Sequence, residues 1–218
     1  MKSIVYYMLV LIGLTACNNN ETTTPEPANV DSNNTAEQTD IASHNSINTL
    51  ADAMNNFVFD LEDMQLSGDA DADFAQVIIR HHTAGTDMAK VELSIGTDTV
   101  LKALAHKIIK RQQKEIESLD HFLNTYQPQS TSDLGKKIMA MVDKSKSKTL
   151  PMHGAIVDLD FTTMMLLHHL EGVNMAKEYL KNGEAKKVIE VANEIVEMQP
   201  QEIEALKKWK NRNHPNRR

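Results

Sequence analysis

The string RHHTAGTDMAK, residues 80–90, sets two adjacent histidines ahead of a methionine seven positions after the first, and LHHLEGVNMAK, residues 167–177, does so again. Imidazole and thioether form a borderline-to-soft ligand set. Imidazole takes copper, zinc, iron or nickel, and thioether narrows that choice towards Cu(I). The candidate metal ligands are therefore His81, His82, Met88, His168, His169 and Met175, which use four of the nine histidines in the chain. Methionine is also a routine core filler, so Met54, Met141, Met152 and Met164 are secondary candidates only. Met54 and Met141 share the spacing of the two motifs, Met152 neighbours His153, and Met164 neighbours Met165. His44, His106, His121 and His214 have no duplicated counterpart and read as surface residues.

The two motifs belong to a longer repeat. Displaced by 87 positions, the chain matches itself without a gap at 17 of the 47 positions from 73 to 119, where chance gives about three. The matches include Asp73 with Asp160, Phe74 with Phe161, Gly85 with Gly172, Gln112 with Gln199 and Glu115 with Glu202. Two copies of this length suit two helical hairpins packed as one four-helix bundle rather than a solenoid.

Periodicity places the helices. Alanine, leucine, lysine, glutamate, glutamine and methionine are plentiful, aromatic residues make up 5% of the chain, and an all-α fold follows. The first copy predicts helices over 72–95 and 99–124, separated by Gly96 with Thr97, Asp98 and Thr99 as caps. The second predicts 156–181 and 184–211, with Pro200 as a kink in the last helix. Shorter helices, 46–66 and 132–145, precede each copy. Phe74, Val77, His81, Ala84, Met88, Val91 and Ile95 step 3, 4, 3, 4, 3, 4, which is a core-facing seam. Phe161, Met164, His168, Glu171 and Met175 form the matching seam. Gln112 and Gln199 interrupt the seams of the second helices, and a buried amide needs partners. Asp73, Asp160, Gln112, Gln199, Glu115 and Glu202 are thus expected around the histidines.

The chain ends carry separate information. MKSIVYYMLVLIGLTAC has one lysine and an apolar run from Ile4 to Leu14, the proportions of a secretory signal peptide over 1–16. LTAC resembles the lipobox of bacterial lipoproteins, so Cys17, the lone cysteine, is expected to be lipidated and to anchor the chain to a membrane. Residues 17–45 are polar and proline-containing and read as a disordered tether. The folded domain is expected over 46–213, as copies 46–125 and 132–211. The formal charge of −7 argues against nucleic acid as a partner. Expected partners are a metal ion and, through the anchor, a membrane, with room for a homo-oligomer or a metal-transfer partner. Asn18 lacks the aspartate type of inner-membrane retention signal, so the expected location is the cell envelope, at the outer membrane facing the periplasm.

Two other functions compete with metal binding. The polar core residues can serve only to fix register and pairing in a structural or interaction lipoprotein. A di-iron oxidase needs Glu-x-x-His on two helices, and the chain contains no such motif. No nucleophile arrangement supports catalysis, so a binding protein and not an enzyme is expected.

The strings DFAQVIIRHHTAGTDMAK with IIKRQQKEIESL, and DFTTMMLLHHLEGVNMAK with IVEMQPQEIEAL, resemble the DUF305 family of exported bacterial proteins. That resemblance covers about residues 46–211. It implies a ferritin-like four-helix bundle, and copper as the cofactor because some members are implicated in periplasmic copper binding. Members of that family often have a more methionine-rich first motif, from which copy one departs with Val77, Ile78 and Ile79.

Overall fold

The computed structural model describes residues 50–146 and 156–214, apart from 54, 58 and 130. The stretches read as signal peptide and tether, with Cys17, Met54 and Met152, lie outside the described residues. Six helices are described: α1 (50–62), α2 (Ala70–Ile95), α3 (Thr99–Thr125), α4 (Leu134–Lys146), α5 (Val157–Tyr179) and α6 (Lys186–Asn213). The bundle is α2, α3, α5 and α6, with α1 and α4 as flanking helices, as the repeat predicts. Observed ends differ from predicted ones by a few residues. Among the described residues no helix is long and apolar enough to cross a membrane.

Local chemistry explains the boundaries. Asp69 caps α2 by accepting from the Asp71 and Ala72 N–H groups, and Asp98 caps α3 by accepting from Val100 and Leu101. Gly96 ends α2 with φ −61°, an ordinary backbone, so the left-handed cap expected of a glycine is not its role. A Cβ there would come within 2.5 Å of the Glu92 carboxyl carbon, which curls over the helix end. The helix α6 runs on through Pro200.

The two copies also cap each other. Asp71, on copy one, accepts from the Glu184 N–H at 3.0 Å, the Ala185 N–H at 3.1 Å and the Tyr179 hydroxyl at 2.6 Å, all on copy two. Asp158, on copy two, accepts from the Thr97 N–H at 2.8 Å, the Thr97 hydroxyl at 2.6 Å and the Asp98 N–H at 3.1 Å. Asp71 and Asp158 are 87 apart, as are Thr97 and Glu184, Asp98 and Ala185, and Glu92 and Tyr179. Ala185 has no side chain that could cap α6, so the carboxylate of the other copy does it.

Apolar residues sort into two clusters. One joins Phe57, Leu61, Phe74, Val77, Leu119, Met175, Tyr179 and Ile195. The other joins Met88, Leu101, Ile108, Leu159, Phe161, Met164, Leu206 and Trp209. The start of α2 thus packs with the end of α5, and the end of α2 with the start of α5, so the two helices run antiparallel. The stacking of Phe74 on Tyr179, centroids 4.2 Å apart, marks one end. The histidines lie between the clusters.

Candidate metal centre

The antiparallel helices α2 and α5 meet at His81 and His168. The two rings stack face to face, with centroids 3.7 Å apart and planes 7° from parallel. Glycines make this approach feasible. A Cβ on Gly85 would fall 2.5 Å from Gln112 Oε1 and would also clash with His168 Nε2. A Cβ on Gly172 would fall 2.7 Å from Gln199 Oε1 and 3.2 Å from His81 Cε1. Each histidine therefore rests against the glycine of the opposite copy. Phe57 of α1 covers His81 edge-on at 5.2 Å.

The second histidine of each pair turns to a carboxylate. His82 Nε2 lies 2.8 Å from Glu115 Oε2, and His169 Nε2 lies 2.8 Å from Glu202 Oε2. A carboxylate at that distance favours the Nε2–H tautomer and leaves Nδ1 with the lone pair. Arg111 joins both sites: its Nη2 is 2.5 Å from Glu202 Oε2 and its Nε is 3.6 Å from Glu115 Oε1. Glu171 Oε2 stands 3.8 Å from His81 Nε2. The Gln112 amide nitrogen is 3.5 Å from His168 Nε2, at the outer limit for a hydrogen bond.

All four histidines are fully buried. Burial holds the His81 and His168 imidazoles well below the usual histidine range, with the neighbouring histidines adding to the effect. Burial also lowers His169, and outweighs the opposing pull of Glu202. These three rings are therefore neutral, the state in which imidazole donates a lone pair to a metal. Both ring nitrogens of His81, His82 and His169, and Nδ1 of His168, have no hydrogen-bond partner, although the Nε2 atoms of His82 and His169 lie at ion-pair distance from Glu115 and Glu202. Each such buried polar atom costs about 1–3 kcal/mol, so the layer carries unmet ligand capacity. One ligand atom from each of His81, His82 and His168 lies within 4.8 Å of the other two. Three bonds of about 2.0 Å to one trigonal ion require nitrogens about 3.5 Å apart. The donor set fits, provided the stacked rings pivot so that their in-plane lone pairs converge.

Among the described residues, the candidate methionines Met88, Met164 and Met175 sit in the apolar clusters rather than in this layer. Met88 and Met175 share a helix face with His81 and His168, but seven residues of rise carry each about 10 Å along its axis. Antiparallel packing then sends them to opposite apolar clusters, Met88 with Met164 in one and Met175 in the other. Met141 is half-buried on α4. Asp73 is likewise remote: it accepts from the Ser67 N–H and hydroxyl, each at 2.7 Å, two turns before His81. Asp160 is buried at the matching place in the first turn of α5. Gln112, Gln199, Glu115 and Glu202 do surround the histidines. Sequence reasoning missed Arg111, although its spacing of four from Glu115 is a recognisable helix pair. It also missed Asp71 and Asp158, which extending the 87-residue match two positions upstream would have found.

Known proteins share this arrangement of helices. A family model described as domain of unknown function, DUF305, matches residues 14–123 and again 124–210. No curated protein sequence matches the chain. Among solved structures the chain is similar to CopM in the Ag-bound form obtained by soaking, at 25% identity and a TM-score of 0.53 over 69% of this chain and 99% of that one. It is similar to CopM in the Cu(I)-bound form, at 25% identity and a TM-score of 0.52 over 66% of this chain and 97% of that one.

Proposed function

The chain belongs to the DUF305 family, and from that premise we propose that it binds a soft metal ion, copper as Cu(I), for sequestration or transfer rather than for catalysis. The ligands are the imidazoles of His81, His82 and His168, with His169 as the fourth of the layer. One observation carries the reading: three fully buried imidazoles from two repeats bring ligand atoms within 4.8 Å of one another, in a layer that holds ring nitrogens without a hydrogen-bond partner. Neutral imidazoles suit copper, and Glu115 and Glu202 would orient His82 and His169 as outer partners of ligating histidines do. The silver- and Cu(I)-bound states of CopM support the same ion class. In this reading lipidated Cys17 holds the domain in the cell envelope, at the outer membrane facing the periplasm.

The test is a competition titration with Cu(I) under reducing conditions. The chain should take up Cu(I) at low stoichiometry, and a His81→Ala/His168→Ala variant should lose at least 100-fold in affinity. The opposing reading, in which the layer only fixes bundle pairing, draws on the face-to-face His81–His168 stack. It predicts no uptake and merely a lower melting temperature for the variant.

A further inference from the structure

We propose that Arg111 sets the valence of the ion the centre accepts, favouring a monovalent over a divalent cation; this rests on reading the histidine layer as a metal site. A guanidinium stays protonated in proteins, so its charge is fixed. Arg111 is only 14% exposed, which limits screening by solvent and salt. Glu202 Oε2 touches both Arg111 Nη2, at 2.5 Å, and His169 Nε2, at 2.8 Å. The positive charge therefore sits one carboxylate away from an imidazole of the layer. On the other side, Glu115 stands between Arg111 and His82.

Repulsion between Arg111 and a bound ion scales with the charge of that ion. A dication feels twice what a monocation feels. Arg111 also offsets part of the negative charge of Glu115 and Glu202, which would otherwise draw a dication the more strongly. The position related by 87 residues is Met198, neutral and 38% exposed. Arg111 is thus a departure from the duplicated pattern at one of the positions bordering the carboxylates.

The experiment compares Ag(I), a redox-inert monovalent soft ion, with Zn(II). Dissociation constants for both are measured on the full chain and on Arg111→Gln, Arg111→Lys and Glu202→Gln variants, each checked for helicity by circular dichroism. Arg111→Gln should shift relative affinity towards Zn(II) by about tenfold or more. Arg111→Lys, which keeps the charge, should hold the ratio, and Glu202→Gln should move it towards Ag(I). An Arg111→Gln ratio within about twofold of wild type overturns the inference, as does an equal shift in Arg111→Lys, since packing would then be the cause. If Arg111→Gln does not fold, Glu202→Gln decides, and an unchanged ratio there overturns it. Uptake of neither ion by the wild type overturns the metal reading and this inference with it, whereas uptake with an unmoved ratio overturns this inference alone.

Discussion

The Asp71 and Asp158 clasps occupy equivalent places at the two ends of the bundle, yet they are closed by different chemistry. At Asp71 the hydroxyl of Tyr179 donates at 2.6 Å. At Asp158 the corresponding side chain is Glu92, and burial, reinforced by the nearby Asp158 carboxylate, pushes it up to about 9. Burial works in the same direction on Asp158, but hydrogen bonds from Thr97 and Asp98 outweigh it and hold that carboxyl below its ordinary value. That shift favours a protonated carboxyl at the place where copy one's clasp has the Tyr179 phenol. The glycine after it, Gly96, makes room for the carboxyl as Gly183 does for the Tyr179 ring. Geometry has been kept between the copies while the proton donor has changed. Charge also differs between Arg111 and Met198, so at these two places the copies diverge in charge on a shared backbone plan.

Breaking the clasp outright should give the largest effect. Asp71→Ala strands the Tyr179 hydroxyl and two backbone N–H groups, and should cost about 4 kcal/mol in urea unfolding. A loss below about 1 kcal/mol would show that the clasp is not a structural tie. The glycines of the central layer sharpen the comparison next. Gly85→Ala should destabilise by about 2–3 kcal/mol, more than Gly172→Ala, because its Cβ would meet Gln112 and His168 more closely than the other meets Gln199 and His81. Equal losses would mean that the two sides yield alike.

Glu92 predicts a pH effect of known sign. Its folded value, about 9, lies above the ordinary 4.5, so the folded state holds a proton that the unfolded chain releases. Its contribution to stability is complete below about pH 4.5 and is lost as pH rises towards 9. Glu92→Gln keeps a donor without the titration, and should be more stable than wild type at pH 7 by on the order of 2 kcal/mol, with the difference vanishing near pH 4. Parallel stability–pH curves for the two proteins would contradict this assignment. The smallest effect belongs to Thr97, whose hydroxyl donates to Asp158 at 2.6 Å. Thr97→Ala should cost about 1 kcal/mol in the same unfolding assay.

Much of the bundle is legible in the amino-acid sequence. The 87-residue repeat marks the two hairpins, and the heptad step of Phe74, Val77 and His81 puts the first histidine inside. Shared register also draws Gln112, Gln199, Glu115 and Glu202 to the histidines. Direction along the bundle is not legible. A seven-residue step puts Met88 on the face of His81, but only the antiparallel crossing of α2 and α5 reveals that Met88 and Met175 diverge into separate clusters. Contacts between copies are hidden for the same reason. Asp71 meets residues 184 and 185, a separation that helical periodicity cannot anticipate.

The most direct test of the central claim is X-ray absorption at the copper edge on Cu(I)-loaded protein. Imidazole ligation by the histidine layer predicts a first shell of two or three nitrogen scatterers at about 2.0 Å, with the outer-shell pattern of imidazole rings. A first shell dominated by sulfur at about 2.3 Å would place the ion among the methionines instead and contradict the account.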